Sequence, residues 1–297
     1  MKTINSLTMF EPQQTVVCLH ASASTSHQWH PLSQCLANKP YRFVAPDLYG
    51  YGQGPSPNGT FSMDDEVQLV LDNLYDDESF HLIGHSYGGS VALRVAQCVP
   101  ERILSLTLFE PVSFGYLKAN DMVTFTAVKK ALGKTAKSVD RGDFVAAASH
   151  FINYWSGAQA FEQMPSSLQK MIVNCMPKVG LERQGLFGDC VDVMELAALA
   201  MPTLLLSGRQ STKAAQVLVG ILHRALPSSD LIRVARLGHM APVTNPDVVN
   251  PYIVDFLESI SEVKRPLAMI PSIKPKPPSS KQATFVQRAA THLVQRP

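Results

Sequence analysis

Residues 80–93, FHLIGHSYGGSVAL, constrain the fold of this chain more than any other stretch. The apolar run Phe80–Gly84 passes straight into Gly84-His85-Ser86-Tyr87-Gly88, and a helical pattern begins at once. This is the G-x-S-x-G pattern in the strand-to-helix setting that it requires. So abrupt a bend forces Ser86 into a strained backbone and lifts its hydroxyl clear of the strand ends. Gly84 and Gly88 are small because a Cβ at either place would strike neighbouring chain. The helix that follows aims the positive end of its dipole at the bend, where negative charge develops when a serine oxygen attacks a substrate. The alternative is a strand–helix turn carrying an ordinary serine. The strand before, the helix after and the extra small residue Gly89 favour a nucleophile.

A strand feeding a helix is one step of an alternating pattern, and the chain repeats that step. Short β-rich apolar runs occur at Thr15–His20, Arg42–Pro46, Phe80–Gly84, Ile103–Phe109, Thr203–Ser207 and Leu231–Ala235. Their hydrophobicity is continuous rather than alternating, as expected of strands buried on both faces. Helical patterns fall between them: Met63–Tyr75 behind the cap Ser62, about Ser86–Val99, about Thr212–Leu226 and Asp247–Ile260. The prediction is an α/β fold, a mostly parallel sheet with helices on both faces. One gap breaks the alternation. Residues 114–200 hold helical periodicity and no clear strand, and Phe144, Ala147, Ala148, Phe151 and Trp155 share one helical face. This segment is read as a helical cap inserted after the strand Ile103–Phe109, with 1–113 and 201–262 forming the core.

The end of the chain has a different character. Residues 263–297 hold six prolines, seven Lys or Arg and no Asp or Glu. Such a basic, proline-rich tail is expected to be disordered and flexible, and PKPP to favour polyproline II. The net charge of +2 therefore conceals a body with about five more acidic than basic residues. A body of that sign is a poor match for a nucleic-acid backbone. No apolar run reaches the roughly 18 residues of a membrane span, and the first residues lack the apolar stretch of a secretory signal. The five cysteines are widely spaced and include no CxxC. Reduced thiols in a cytoplasmic protein, with no metal site and no cofactor, are the expectation.

Several segments together resemble the α/β-hydrolase fold superfamily over residues 15–262. VVCLHASASTSHQW resembles the family's third strand and oxyanion loop, and APDLYGYGQG its D-x-x-G-x-G turn. GHSYGG resembles the nucleophile elbow and LGHMAPVTNPDVV the catalytic-histidine loop. In the family's count the cap follows the sixth strand. Only 14 residues precede TVVCLH, so the family's usual opening hairpin is expected to be shortened or reduced to one strand.

The resemblance implies Ser86 as nucleophile and His239 as base. A carboxylate should orient that base. Most relatives carry an Asp soon after their seventh strand, but this chain reads LLLSGRQSTKAAQ and has no acid between Glu195 and Asp230. Some members take the acid from the sixth strand, which here ends in Glu110-Pro111. The predicted triad is therefore Ser86, His239 and Glu110, in the chain order Ser…acid…His. The alternatives are a solvated Glu110 with a Ser–His dyad, or Asp47 or Asp64 as the acid, although Asp47 reads as a turn-fixing residue. Two backbone amides should form the oxyanion hole: Tyr87, and by resemblance Ser22, where His20-Ala21-Ser22 stands for the family's His-Gly-x. Ser22 also reads as plain loop filler. His85 abuts Ser86 but should face away from it. His20, His27 and His30 read as loop packing rather than metal ligands.

Eight aromatic residues lie between Phe114 and Phe161. They make the core of the cap, an apolar pocket over Ser86, or both. The expected activity is a serine hydrolase cleaving an ester or related acyl bond of a small apolar molecule. Carbon–carbon bond hydrolysis and aminopeptidase action are the alternatives on the same scaffold. A ligand-binding protein with reduced turnover is the alternative from another class.

Overall fold

The order of elements follows the alternating pattern closely. In a computed structural model, residues 14–57, 61–188 and 193–263 are described, and the tail expected from 263 onward lies outside them except at its first residue. The chain runs β1 (Gln14–Leu19), α1 (His30–Leu36), β2 (Tyr41–Val44), α2 (Met63–Leu71), β3 (Phe80–His85), α3 (Tyr87–Cys98) and β4 (Ile103–Phe109). The insertion holds α4 (Gly115–Asn120), α5 (Met122–Asp140), α6 (Phe144–Ser156), α7 (Ser166–Phe187) and α8 (Val193–Leu196). The pattern then resumes with β5 (Thr203–Gly208), α9 (Lys213–Ala225), β6 (Ser229–Val234), α10 (Ala241–Thr244) and α11 (Pro246–Val263).

All neighbouring strands are parallel, in the order β2-β1-β3-β4-β5-β6. The chain leaves β1 for β2 on one side and returns to β3 on the other. Winding therefore reverses between β1 and β3, and the crevice beyond their carboxyl ends is where an open α/β sheet offers room for a ligand. Ser86 follows β3 directly and His20 follows β1.

Side chains alternate between two apolar layers, as the pleat requires. Val17 and Leu19 pack with α2, α3 and α9 on one face; Val16 and Cys18 pack with α1 and α11 on the other. Burial of both faces explains the unbroken apolar runs. At α2, Ser62 and Asp65 form a reciprocal capping box. The helix stops at Leu71 rather than Tyr75, where the Asn73 side-chain amide competes for the backbone by donating to the Leu69 carbonyl at 2.8 Å.

The insertion is helical throughout its described residues apart from turns. Asp121 and Asp143 cap α5 and α6 by accepting from the Thr124 and Ala146 amides. Ala147, Ala148 and Ile152 of α6 pack on Phe161 and on Ile172 and Met176 of α7 in a small separate core. Trp155 and Phe114 instead join the larger core next to the sheet.

Candidate active site

Strand register assembles the site. His85 of β3 is level with Phe109 of β4, and Phe109 with Leu206 of β5. The next residues, Ser86, Glu110 and Ser207, therefore emerge side by side at the carboxyl edge. The ladder continues one step past the strands, with the Ser86 amide donating to the Phe109 carbonyl and the Glu110 amide to that of Leu206.

Ser86 has φ 56° and ψ −116°, and Glu110 has φ 43°. Ala23, in the loop after β1, has φ 54°. Non-glycine residues rarely occupy this region, and strained backbone of this kind concentrates at functional sites. The glycines flanking Ser86 are there for space. A Cβ on Gly84 would lie 2.4 Å from the Gly88 carbonyl oxygen; one on Gly88 would lie 2.3 Å from that of Leu19.

His239, in the loop after β6, bridges the two strained residues. Its Nδ1–H donates to Glu110 Oε2 at 2.8 Å, and its Nε2 accepts from Ser86 Oγ at 2.9 Å. The carboxylate selects this tautomer, because it can only accept. Glu110 is fully buried, and Oε1 also accepts from Ser207 Oγ and the Gly208 amide, each at 2.8 Å. Oε2 takes the Ser211 hydroxyl as well. Burial alone would raise this carboxyl; the His239 contact and the Ser211 and Ser207 hydroxyls outweigh burial and hold it below its ordinary value. Ser207 in β5 and Ser211 in the loop after it thus supply hydroxyl donors in a stretch that holds no acid.

The other predicted residues fall as follows. Tyr87 is the first residue of α3, so its amide has no acceptor within the helix. Ser22 lines the same space as Ser86, and its amide has no backbone acceptor among the described residues. Its hydroxyl donates to Glu182 Oε2 of α7 at 2.6 Å. Asp47 holds its own turn by accepting from the Ser26 and Gln53 amides, and Asp64 pairs with Arg94 at the surface. Neither touches His239. Both ring nitrogens of His20 are engaged with backbone, at the Ala21 carbonyl and the Leu48 amide.

His85 faces away from Ser86, yet it belongs to the surroundings of the site. Its Nε2–H donates to the His239 carbonyl at 2.8 Å, and its Nδ1 accepts from Gln28 Nε2 at 3.1 Å. Gln28 Oε1 in turn accepts from the Ala21 amide at 3.1 Å. Burial, and then the neighbouring His239, push the His85 imidazole well below its ordinary value, so it remains a neutral donor. Sequence reasoning passed over this relay, and also Trp155, whose ring lies on His239 with centroids 3.9 Å apart and planes 22° from parallel.

Two cavities meet at Ser86, Ser22, Phe151 and Trp155. One, of about 320 Å³, lies under α5 and α7 and is lined by Val112, Phe114, Leu132 and Phe187 among others. The other, of about 560 Å³, reaches past His239 and Met240 to Met164, Leu168, Met171 and Ile172. Among the described residues no group of three or more His, Cys, Asp or Glu is placed to hold a metal ion, and no helix is long and apolar enough to cross a membrane.

Comparison with known proteins bears on the fold and the family. The chain is 24% identical over 272 residues, 83% of its length and 91% of the relative's, to a putative 2-succinyl-6-hydroxy-2,4-cyclohexadiene-1-carboxylate synthase of Bacillus subtilis. It is 35% identical over 107 residues to the probable lysophospholipase BODYGUARD 1 of Arabidopsis thaliana, a match spanning 33% of this chain and 23% of the plant protein. Among solved structures, an esterase from Thermogutta terrifontis superposes with a TM-score of 0.66 at 22% identity, covering 83% of this chain and 90% of the esterase. Staphylococcus aureus MenH also gives 0.66, at 23% identity, over 84% and 96% of the two chains. Residues 14–246 match the profile of the alpha/beta hydrolase fold, with a parallel sheet and a strained serine after its third described strand, and the chain belongs to that family.

Proposed function

We propose that this protein is a serine hydrolase that cleaves an ester, or a closely related acyl bond, of a small apolar substrate. The observation that carries this reading is His239 hydrogen-bonded to Ser86 Oγ on one side and to buried Glu110 on the other, at the meeting point of two apolar cavities. A serine hydroxyl is a weak nucleophile until a positioned base takes its proton. His239 Nε2 accepts that proton as Ser86 Oγ bonds to the carbonyl carbon. Glu110 stabilises the imidazolium that forms. The Tyr87 and Ser22 amides receive the developing oxyanion, and each such donor contributes about 3 kcal/mol in the transition state. His239 then gives its proton to the leaving group, and water repeats the sequence on the acyl-enzyme.

The two cavities divide the substrate. The leaving group takes its proton from His239, so it occupies the cavity lined by His239 and Met240. The acyl group occupies the cavity under α5 and α7, which Ser86 borders and His239 does not. Helices α5–α7 act as a cap. The contact of Glu110 with His239 supports turnover over a purely ligand-binding role.

The test uses short-chain nitrophenyl esters and a fluorophosphonate probe. Hydrolysis and labelling are expected in the native protein and are expected to vanish in Ser86→Ala. A well-folded native protein that neither hydrolyses such esters nor takes the probe at Ser86 overturns the reading.

A further inference from the structure

Beneath the oxyanion loop, three charged side chains are buried together. Lys178 and Glu182 are one turn apart on α7, and Glu66 belongs to α2; each is at most 4% exposed. Lys178 Nζ bridges the carboxylates, 3.1 Å from Glu66 Oε1 and 3.0 Å from Glu182 Oε1. The rings of Tyr51, Phe61 and Tyr87 surround the ammonium at 4.9, 4.5 and 4.3 Å from its nitrogen. The Tyr51 hydroxyl closes the group on Glu182.

Such a cluster is costly to bury, and apolar residues of similar volume commonly serve stability as well or better. What distinguishes this one is where its outer bonds go. Ser22 Oγ donates to Glu182 Oε2 at 2.6 Å, and Tyr87 Oη donates to Glu66 Oε1 at 3.0 Å. Ser22 and Tyr87 are the two residues whose amides face the developing oxyanion in the acyl-transfer reading, on which this inference rests. Both oxyanion donors therefore end in one charged cluster, and Lys178 joins the two halves. The Glu66 Oε2 bond from the Tyr49 amide fixes the acceptor for Tyr87 to the core.

We infer that Glu66, Lys178 and Glu182 are positioning residues: the cluster holds the Ser22 and Tyr87 amides at the separation that suits a tetrahedral oxyanion. The arrangement also ties the cap to catalysis, because α7 supplies the anchor for Ser22. The residue after Ser22, Ala23, lies at φ 54°, so the tether acts beside a strained stretch of the loop.

The experiment removes the tethers without removing the amides or the charges. Ser22→Ala and Tyr87→Phe are compared with the native protein on a short-chain nitrophenyl ester. Binding of a trifluoromethyl ketone, which forms a tetrahedral adduct, is measured beside binding of the corresponding alcohol. Each variant is expected to lose about tenfold in kcat with KM within about twofold, since small displacements of a donor cost this much or more. The ketone should weaken by the same factor while the alcohol holds, and Ser22→Thr should restore most of the rate. Unchanged kcat, or equal weakening of ketone and alcohol, or a loss that Ser22→Thr does not restore, overturns the inference. A native protein lacking Ser86-dependent hydrolysis instead overturns the functional reading. Lys178→Met strikes the bridge itself, and if it folds it is expected to reproduce both defects together.

Discussion

The indole of Trp155 lies flat against the imidazole of His239, with centroids 3.9 Å apart. Trp155 comes from α6 and His239 from the loop after β6, so this contact joins the insertion to the residue proposed as base. An aromatic face favours a cation beside it, and the imidazolium exists only along the reaction path, so the stack contributes to rate more than to binding. Trp155→Leu is expected to lower kcat about thirtyfold, on the basis of about 2 kcal/mol for a desolvated cation–aromatic contact. Because Trp155 borders both cavities, the variant should also tolerate bulkier alcohols. Kinetics on esters of increasing alcohol size measure both effects.

Glu110→Gln retains the side-chain volume and the acceptor oxygen but loses the charge that balances the imidazolium. A loss of about 10⁴ in kcat is expected when such an acid is neutralised. The same variant has a stability signature. Glu110 has a folded value below its ordinary 4.5, so its contribution is complete above the unfolded value and is lost as pH falls through the folded one. Urea unfolding at a series of acid pH values should therefore show a shallower decline in Glu110→Gln than in the native protein.

His20 provides a second pH-dependent element. Burial, opposed by the Ala21 carbonyl, lowers it to about 4 from an ordinary 6.5. Between those values the unfolded chain binds a proton that the folded chain refuses, so stability falls as pH drops from about 6.5 towards 4. His20→Gln should flatten that part of the curve, measured by urea denaturation at pH 7.5 and 5.

Gln28 links the Ala21 amide to His85, and His85 to the His239 carbonyl. Gln28→Leu leaves a buried amide and a buried ring nitrogen without their partner. Each orphaned group costs about 1–3 kcal/mol. The expected outcome is a lower urea midpoint together with reduced kcat, as both loops of the site lose a support.

Two glycine substitutions should act in opposite directions. Gly88→Ala places a Cβ 2.3 Å from the Leu19 carbonyl oxygen and is expected to abolish soluble expression or activity. Gly133 lies within α5 with nothing within 4 Å of an added Cβ. Gly133→Ala should stabilise the fold by about 0.5–1 kcal/mol, read as a rise in Tm.

Much of this protein is written locally. The unbroken apolar runs report burial on both faces of a parallel sheet, and the strands and elbow observed lie within two residues of where those runs place them. Gly84 and Gly88 mark the turn because steric exclusion acts between near neighbours in the chain. Glu110 entered only through the family resemblance, in which some members carry the acid at the end of this strand; its contact with His239 is seen only in the folded chain.

Only the tertiary structure decides the rest. No sequence pattern announces that Lys178 and Glu182, spaced like any solvated pair on a helix face, turn inward to meet Glu66 from 112 positions earlier than Lys178. Nor does any pattern reveal that His85 supports His239, or that Trp155 leaves the insertion's own core to lie on it. Periodicity records which face of an element is apolar, a property of consecutive residues. Which charge meets which, and at what distance, depends on how separate elements pack, and chain order alone does not carry that information.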